Sequence, residues 1–286
     1  MYFIRETSER SDNKNTLKKA ILKNSNFKLI SFEGSPTIND NVTILMDKFK
    51  VDIDLSTTNK NDKIKIFNEL YRNSEFKDEF ALKKTIVENR KLKWGILVYD
   101  DNEYSLFFLK DGKEGRNFYK EFQNAKEFSN WLYENYSTIR YNISNYQEDN
   151  LPKYDISMRK NGKPWPGNVD GILLHNKKMI AVIEFQTTNK QSVREHNNND
   201  WWLPKYSRKG DKERWRSIYI NSNYLNLPII VGVWNPKEEE YCIKLIKGFN
   251  FETDKPPFIF LKKKEIADDK NISTKLLEVL NINEKI

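Results

Sequence analysis

Asp170, Glu184 and Gln186 are the residues of this chain whose types and spacing best suit chemistry. They lie on two short apolar runs, residues 168–175 and 179–186, separated by the turn-like Asn176-Lys177-Lys178. If the runs pair as a hairpin around a three-residue loop, His175 faces Met179, and counting inward places Asp170 directly opposite Glu184. Residues opposed in this way on antiparallel strands have Cβ atoms roughly 4.5–5.5 Å apart and point to one face. Gln186 shares that face, because strand side chains alternate with period two. Two carboxylates brought together in a buried volume repel strongly unless a proton or a cation separates them, so the natural occupant is a divalent metal. A two-residue loop would slip the register by one and turn Glu184 to the other face. The competing reading is a surface hairpin in which Asp170 begins a turn and Glu184 pairs with a lysine.

The elements that must position these residues follow from apolar spacing. Residues 15–23 have the composition of a short helix, and 27–32 read as a strand. Apolar residues at helical spacing predict helices over 62–72 and 77–90, followed by a hairpin of 94–99 with 103–109. Residues 125–136 predict an amphipathic helix with Phe128, Trp131 and Leu132 on one face. The stretch 142–167, interrupted by Pro152, Pro164 and Pro166, is read as a long connection. Beyond the hairpin, Ser192-Val193-Arg194-Glu195 matches a capping box that starts a helix, with Gly210 interrupting or ending it. A helix over 211–224, strands at 227–234 and 241–246, a strand at 258–261 and a closing helix at 274–280 complete the order. The sequence of strand, strand, helix, strand around the acids is the outcome that matters.

Composition narrows the function class without choosing one. The 286 residues suffice for a large domain, or a core with an accessory domain, around a real hydrophobic interior. A lone cysteine, Cys242, excludes an internal disulfide framework and suits a reducing compartment. Two histidines, His175 and His196, are too few for a His/Cys zinc site. No run approaches the roughly 18 consecutive apolar residues of a membrane helix, and the opening residues lack a signal-peptide apolar stretch, so a soluble cytoplasmic protein is expected. With 49 Lys+Arg against 41 Asp+Glu, the formal charge of +8 favours anionic partners.

Pro166-Gly167-Asn168-Val169-Asp170, thirteen intervening residues, and then Glu184-Phe185-Gln186 at the end of an apolar strand resemble the PD-(D/E)xK nuclease superfamily, in an ExQ variant. Many Type II restriction endonucleases belong to that superfamily. The resemblance spans roughly residues 125–250. It implies an α/β fold with a restriction-endonuclease-like core, a mixed central sheet flanked by helices with the two acids on a central hairpin. Around this core, 1–124 is expected to form an N-terminal α/β accessory region for recognition or dimerisation, and 251–286 a strand and helix extension. By the same resemblance, Asp170, Glu184 and the backbone carbonyl of Phe185 bind Mg2+, which activates water for attack on a phosphodiester. Gln186 stands where most members have lysine; it can orient the water by hydrogen bonding but supplies no positive charge. Lys190, four residues on, is the candidate to reach back and supply it. A glutamate from the first core helix completes the acidic cluster in some relatives, and either Glu127 or Glu134 fits that place.

The expected activity is magnesium-dependent cleavage of double-stranded DNA at a specific site, with Arg194, Lys205, Arg208, Lys209, Lys212, Arg214 and Arg216 contacting phosphates. Cutting both strands of a palindrome implies a symmetric homodimer, and a companion DNA methyltransferase would belong to the same system. The alternatives are a structure-specific, repair or RNA nuclease, or a non-catalytic DNA-binding protein on a degenerate nuclease scaffold, which Gln186 motivates. Trp165 is read as packed rather than inserted into a DNA groove. Asp52 and Asp54 are read as a strand edge rather than a metal pair. His196 with its asparagines lacks the second histidine of an HNH-type site.

Overall fold

The computed structural model describes residues 1–6, 15–39, 41–114, 117–137, 151–166, 169–197, 201–202, 209–251 and 259–282. For 169, 170, 197, 201, 202, 209–214 and 260 it describes the backbone alone. The chain opens with strand β1 (Phe3–Ile4), helix α1 (Thr16–Leu22) and strands β2 (Phe27–Phe32), β3 (Thr37–Ile38), β4 (Asn41–Val42) and β5 (Leu45–Val51). Helices α2 (Lys60–Arg72) and α3 (Lys77–Arg90) precede β6 (Lys93–Tyr99), β7 (Ser105–Asp111) and β8 (Asn117–Phe122). Then come α4 (Ala125–Tyr136), α5 (Lys153–Lys160), β9 (Val169–His175), β10 (Lys178–Thr187), α6 (Val193–Asn197) and β11 (Trp201–Trp202). The last elements are α7 (Lys209–Leu225), β12 (Ile229–Trp234), β13 (Glu240–Phe249), β14 (Ile259–Asp268) and α8 (Ile272–Leu280). No helix among the described residues is long and apolar enough to cross a membrane.

Two compact units divide the chain, and neither is a single contiguous segment. The first comprises residues 1–10 and 32–168, the second 11–31 and 169–286. This differs from the expected boundaries at 124 and 250. Residues 125–168 belong to the first unit, 11–31 supply a helix and a strand to the second, and 251–286 are integral to the second unit rather than an extension of it.

In the first unit, a five-stranded mixed sheet has the order β1-β5-β6-β7-β8, with β5 and β6 parallel. Met46, Leu97 and Phe107 on one face pack with Phe128 and Leu132 of α4 and with Tyr154 and Met158 of α5. On the other face, Phe49, Phe76, Phe80 and Trp94 form a chain of tilted and edge-on rings. Buried charges accompany these rings. Lys83 Nζ lies 2.6 Å from both Asp47 Oδ1 and Glu79 Oε1, and Trp94 Nε1 donates to Asp47 Oδ2 at 2.8 Å. Trp165 is packed as expected, donating to the Glu33 carbonyl at 2.9 Å and stacking on Phe128. Asp54 caps the turn after β5 by accepting from Ser56, so it serves a turn rather than a strand edge.

In the second unit, a seven-stranded mixed sheet has the order β11-β14-β13-β12-β10-β9-β2. Strands β10 and β12 are parallel and joined through α6, β11 and α7, so the expected order of strand, strand, helix, strand is present. One face carries Leu173, Ala181, Ile183, Ile230 and Ile243 against Leu17 and Ile21 of α1 and Leu276 of α8. The approach of α1 requires Gly232, where an added Cβ would stand 2.6 Å from Leu17 Cδ2. The opposite face lies under α6 and α7, with Trp215 and Ile218 buried and Tyr219 exposed. Helix α6 begins at the capping box: Glu195 N donates to Ser192 Oγ at 3.1 Å, and Ser192 N to Glu195 Oε2 at 2.8 Å. It ends at Asn197, and Gly210 lies within α7 rather than closing α6.

Candidate functional site

The hairpin that carries the acids closes differently from the three-residue expectation yet reaches the same register. Asn176 and Lys177 both have positive φ, 49° and 65°, and His175 pairs with Lys178 rather than Met179. That two-residue turn alone would have placed Glu184 on the wrong face. A bulge between Met179 and Ala181 then adds one residue to β10, after which Leu173 pairs with Ala181 and Ile172 with Val182. An ideal Cβ on Gly171 would meet Ile183 Cγ2 at 3.1 Å, which carries the same count one pair further. The last pair is Ile172 with Val182, and the same register continued two residues further would set position 170 opposite Glu184.

Which face the site occupies follows from period two. Ala181 and Ile183 point into the core under α1 and α8, so Val182, Glu184 and Gln186 point to the α7 face. Glu184 is only 2% exposed, which rules out the surface-hairpin reading for it. Its neighbour on β12 is Val231, also fully buried.

Backbone direction adds a further donor. Val182 N donates to Pro228 O and Thr188 N to Trp234 O, so the even-numbered residues of β10 use their main-chain groups on β12. Phe185 therefore turns its N–H and carbonyl toward the β9 side, where position 170 lies. The Glu184 side chain and the Phe185 carbonyl are thus adjacent oxygen groups of β10, one on the α7 face and one directed toward β9. Gln186, half-buried, follows on the same face beside Val233.

The other expected residues are distributed unevenly. Lys190 is exposed, in the bend between β10 and α6, three residues before α6 begins. Arg194 is engaged on the surface by Glu240, at 2.7 Å through Nε and 2.5 Å through a terminal nitrogen, so it is tied to a carboxylate instead of standing ready for a phosphate. Arg216 is half-buried. Lys205 and Arg208 lie outside the described residues, as do the side chains of Lys209, Lys212 and Arg214. Glu127 and Glu134 lie on α4, which packs on the five-stranded sheet; Glu127 accepts from Gln123 N at 2.8 Å as part of that helix's cap. Neither belongs to the seven-stranded core. His175 is a core residue, its ring 4.8 Å from that of Phe27.

Two features escaped the sequence. Lys244 on β13 is fully buried on the same face as Glu184, one strand beyond Val231, and donates to the His196 carbonyl at 2.6 Å. Burial lowers its pKa, and burial with the Lys244 charge pulls His196 down to about 4. The second feature is a loop clamp formed by Asn235 and Glu238 at the end of β12. Neither has a local sequence signal, since each depends on which strand lies beside which.

No family model matches the chain, and no curated protein matches it. One solved structure, the C-terminal domain of a sex pheromone precursor from Staphylococcus aureus, aligns with 80% of this chain at 7% identity and a TM-score of 0.16. The aligned region spans 65% of that protein, and a likeness this slight carries no argument about fold or function.

Proposed function

We propose that the chain is a magnesium-dependent DNA endonuclease whose active site lies at the β9–β10 hairpin. What supports the reading is Glu184, a carboxylate 2% exposed near the middle of a mixed sheet, on a hairpin whose register, continued, would set it opposite Asp170. The donor set suits a hard cation, because two carboxylates and a main-chain carbonyl are oxygen ligands, and magnesium keeps its remaining positions for water. Magnesium bound there would acidify an attacking water and offset charge developing on the phosphate.

The chain's own residues have separable roles in this scheme. Asp170, Glu184 and the Phe185 carbonyl hold the cation. The Gln186 amide orients the water, accepting or donating one hydrogen bond without changing its own charge. Lys190 brings the positive charge that the glutamine lacks. Substrate is double-stranded DNA, cut by a symmetric homodimer in the manner of a Type II restriction enzyme, and the basic segment 205–216 contributes phosphate contacts.

Incubation of the purified protein with supercoiled plasmid and Mg2+, beside Asp170→Ala and Glu184→Ala, tests this reading. Discrete bands from the wild type alone are expected. A smear would mean cleavage without sequence specificity, and cleavage of RNA alone would change the substrate class. DNA binding without any cleavage would support the non-catalytic scaffold instead.

A further inference from the structure

Lys190 is exposed and makes no hydrogen bond or ion pair with any described residue. The loop that carries it is pinned on both sides. Before it, Thr188 N donates to the Trp234 carbonyl at 2.9 Å, which keeps the strand end on β12. After it, the Gln191 carbonyl accepts from Thr188 Oγ1 at 3.0 Å and from Asn235 Nδ2 at 3.4 Å. Asn235 Nδ2 also donates to Glu238 Oε1 at 2.8 Å, and Glu238 Oε2 accepts from Val193 N at 2.9 Å. Asn235, Thr188 and Val193 are all buried. A five-residue bend with one unpaired cation at its tip is therefore fixed by two residues from the end of the neighbouring parallel strand.

The same contacts remove other candidates for meeting an anion here. The N–H groups of Ser192, Val193 and Glu195 are occupied by Glu195, Glu238 and Ser192. Arg194 is held by Glu240. What the loop presents is the Lys190 ammonium, just past the carboxyl end of the strand that bears Glu184 and Gln186. A long lysine side chain loses considerable freedom on binding, and a fixed base lowers the part of that cost that comes from the backbone.

We propose that Asn235 and Glu238 are positioning residues that hold the 188–192 loop so that Lys190 meets a backbone phosphate of the nucleic-acid substrate. This rests on the nuclease reading above for the identity of the phosphate. The test uses the full chain and a fluorescein-labelled 20-bp duplex in Ca2+, with binding read by anisotropy across a salt series. Lys190→Ala lowers the slope of log K against log salt by about 1. Asn235→Ala weakens binding about fivefold at low salt, and in its background Lys190→Ala has no further effect. Amide exchange supplies the readout on the clamp itself, with residues 189–193 exchanging faster in Asn235→Ala and in Glu238→Gln than in the wild type.

Additive effects of Asn235→Ala and Lys190→Ala overturn the proposal, as does unchanged amide exchange in both clamp variants. Coupled binding effects in a protein that cuts nothing in Mg2+ refute the nuclease reading and leave the clamp standing. A wild type that binds no duplex overturns both.

Discussion

Replacing Glu33 by glutamine reports on the buried charges of the first unit with a sign that cannot be obtained from contact loss alone. Glu33 Oε1 lies 3.0 Å from Arg5 Nε, without hydrogen-bond alignment, while Arg5 keeps two contacts to Glu79 at 2.9 and 3.2 Å. Burial and the nearby Asp47 charge raise the Glu33 carboxyl from its ordinary 4.5 to about 7, against the opposing pull of Lys48, Arg5 and Lys83. Between those two values the folded chain keeps a proton that the unfolded chain has lost. Stability from this group is therefore full below about pH 4.5 and is lost as pH rises through about 7. At about 1.4 kcal/mol for each tenfold change in proton affinity, the loss amounts to about 3 kcal/mol. Glutamine mimics the neutral form at every pH, so Glu33→Gln gains on the wild type by about 2–3 kcal/mol between pH 5 and pH 8. Urea unfolding of both proteins at the two pH values, followed by tryptophan fluorescence, measures the gap. A gap that stays constant or shrinks with rising pH would refute the assignment of Glu33 as a strained buried acid.

Three other outcomes are expected. Lys83→Met strips Asp47 of an ammonium with which it is fully buried and costs the first unit about 3–5 kcal/mol by urea unfolding; a loss below about 1 kcal/mol would contradict the pairing. Ser192→Ala removes one half of the α6 capping box and lowers the stability of the second unit by about 1 kcal/mol, with no effect expected on the first. If cleavage occurs, Lys190→Ala slows it about 10–100-fold, and Gln186→Lys in that background restores it; failure to restore would show that the missing charge is not what Lys190 supplies.

How much of this was legible in the sequence depended on the range of the signal. Helices α2 and α3 follow from apolar spacing, and the β6–β7 hairpin lies within two residues of its expected bounds. The capping box at Ser192 and Glu195 was readable because both partners lie within four residues. Strand β5 was not read, since Asp47 and Lys48 stand at buried positions where an apolar residue is the usual sign of a core strand. Helix α5 follows Pro152 and is mostly polar, which made it look like connection. The helix at 125–136 was clear, but an apolar stripe does not say which sheet it will cover. For the same reason, local patterns could not show that 27–32 joins the second sheet while 45–51 joins the first.

The register of the hairpin is reached through an unforeseen route. The turn is one residue shorter than expected, and the bulge at Ile180 restores the count, so two departures cancel from Ala181 onward. A pattern of apolar residues constrains this strongly, because any uncompensated slip would have turned Ala181 and Ile183 away from the core under α1. The clamp at Asn235 and Glu238 has no such local constraint and became visible only with β10 and β12 side by side.

The most direct measurement is Mn2+ binding, followed by the loss of the free-ion paramagnetic signal, in the presence of an equimolar DNA duplex. Mn2+ favours the same oxygen donors as magnesium and reports occupancy without requiring turnover. The account expects saturable binding by the wild type that is lost in Glu184→Gln and in Asp170→Asn while both variants remain folded. Equal binding by the wild type and both variants, or none by a folded wild type, would contradict the assignment of the β9–β10 acids as a metal site.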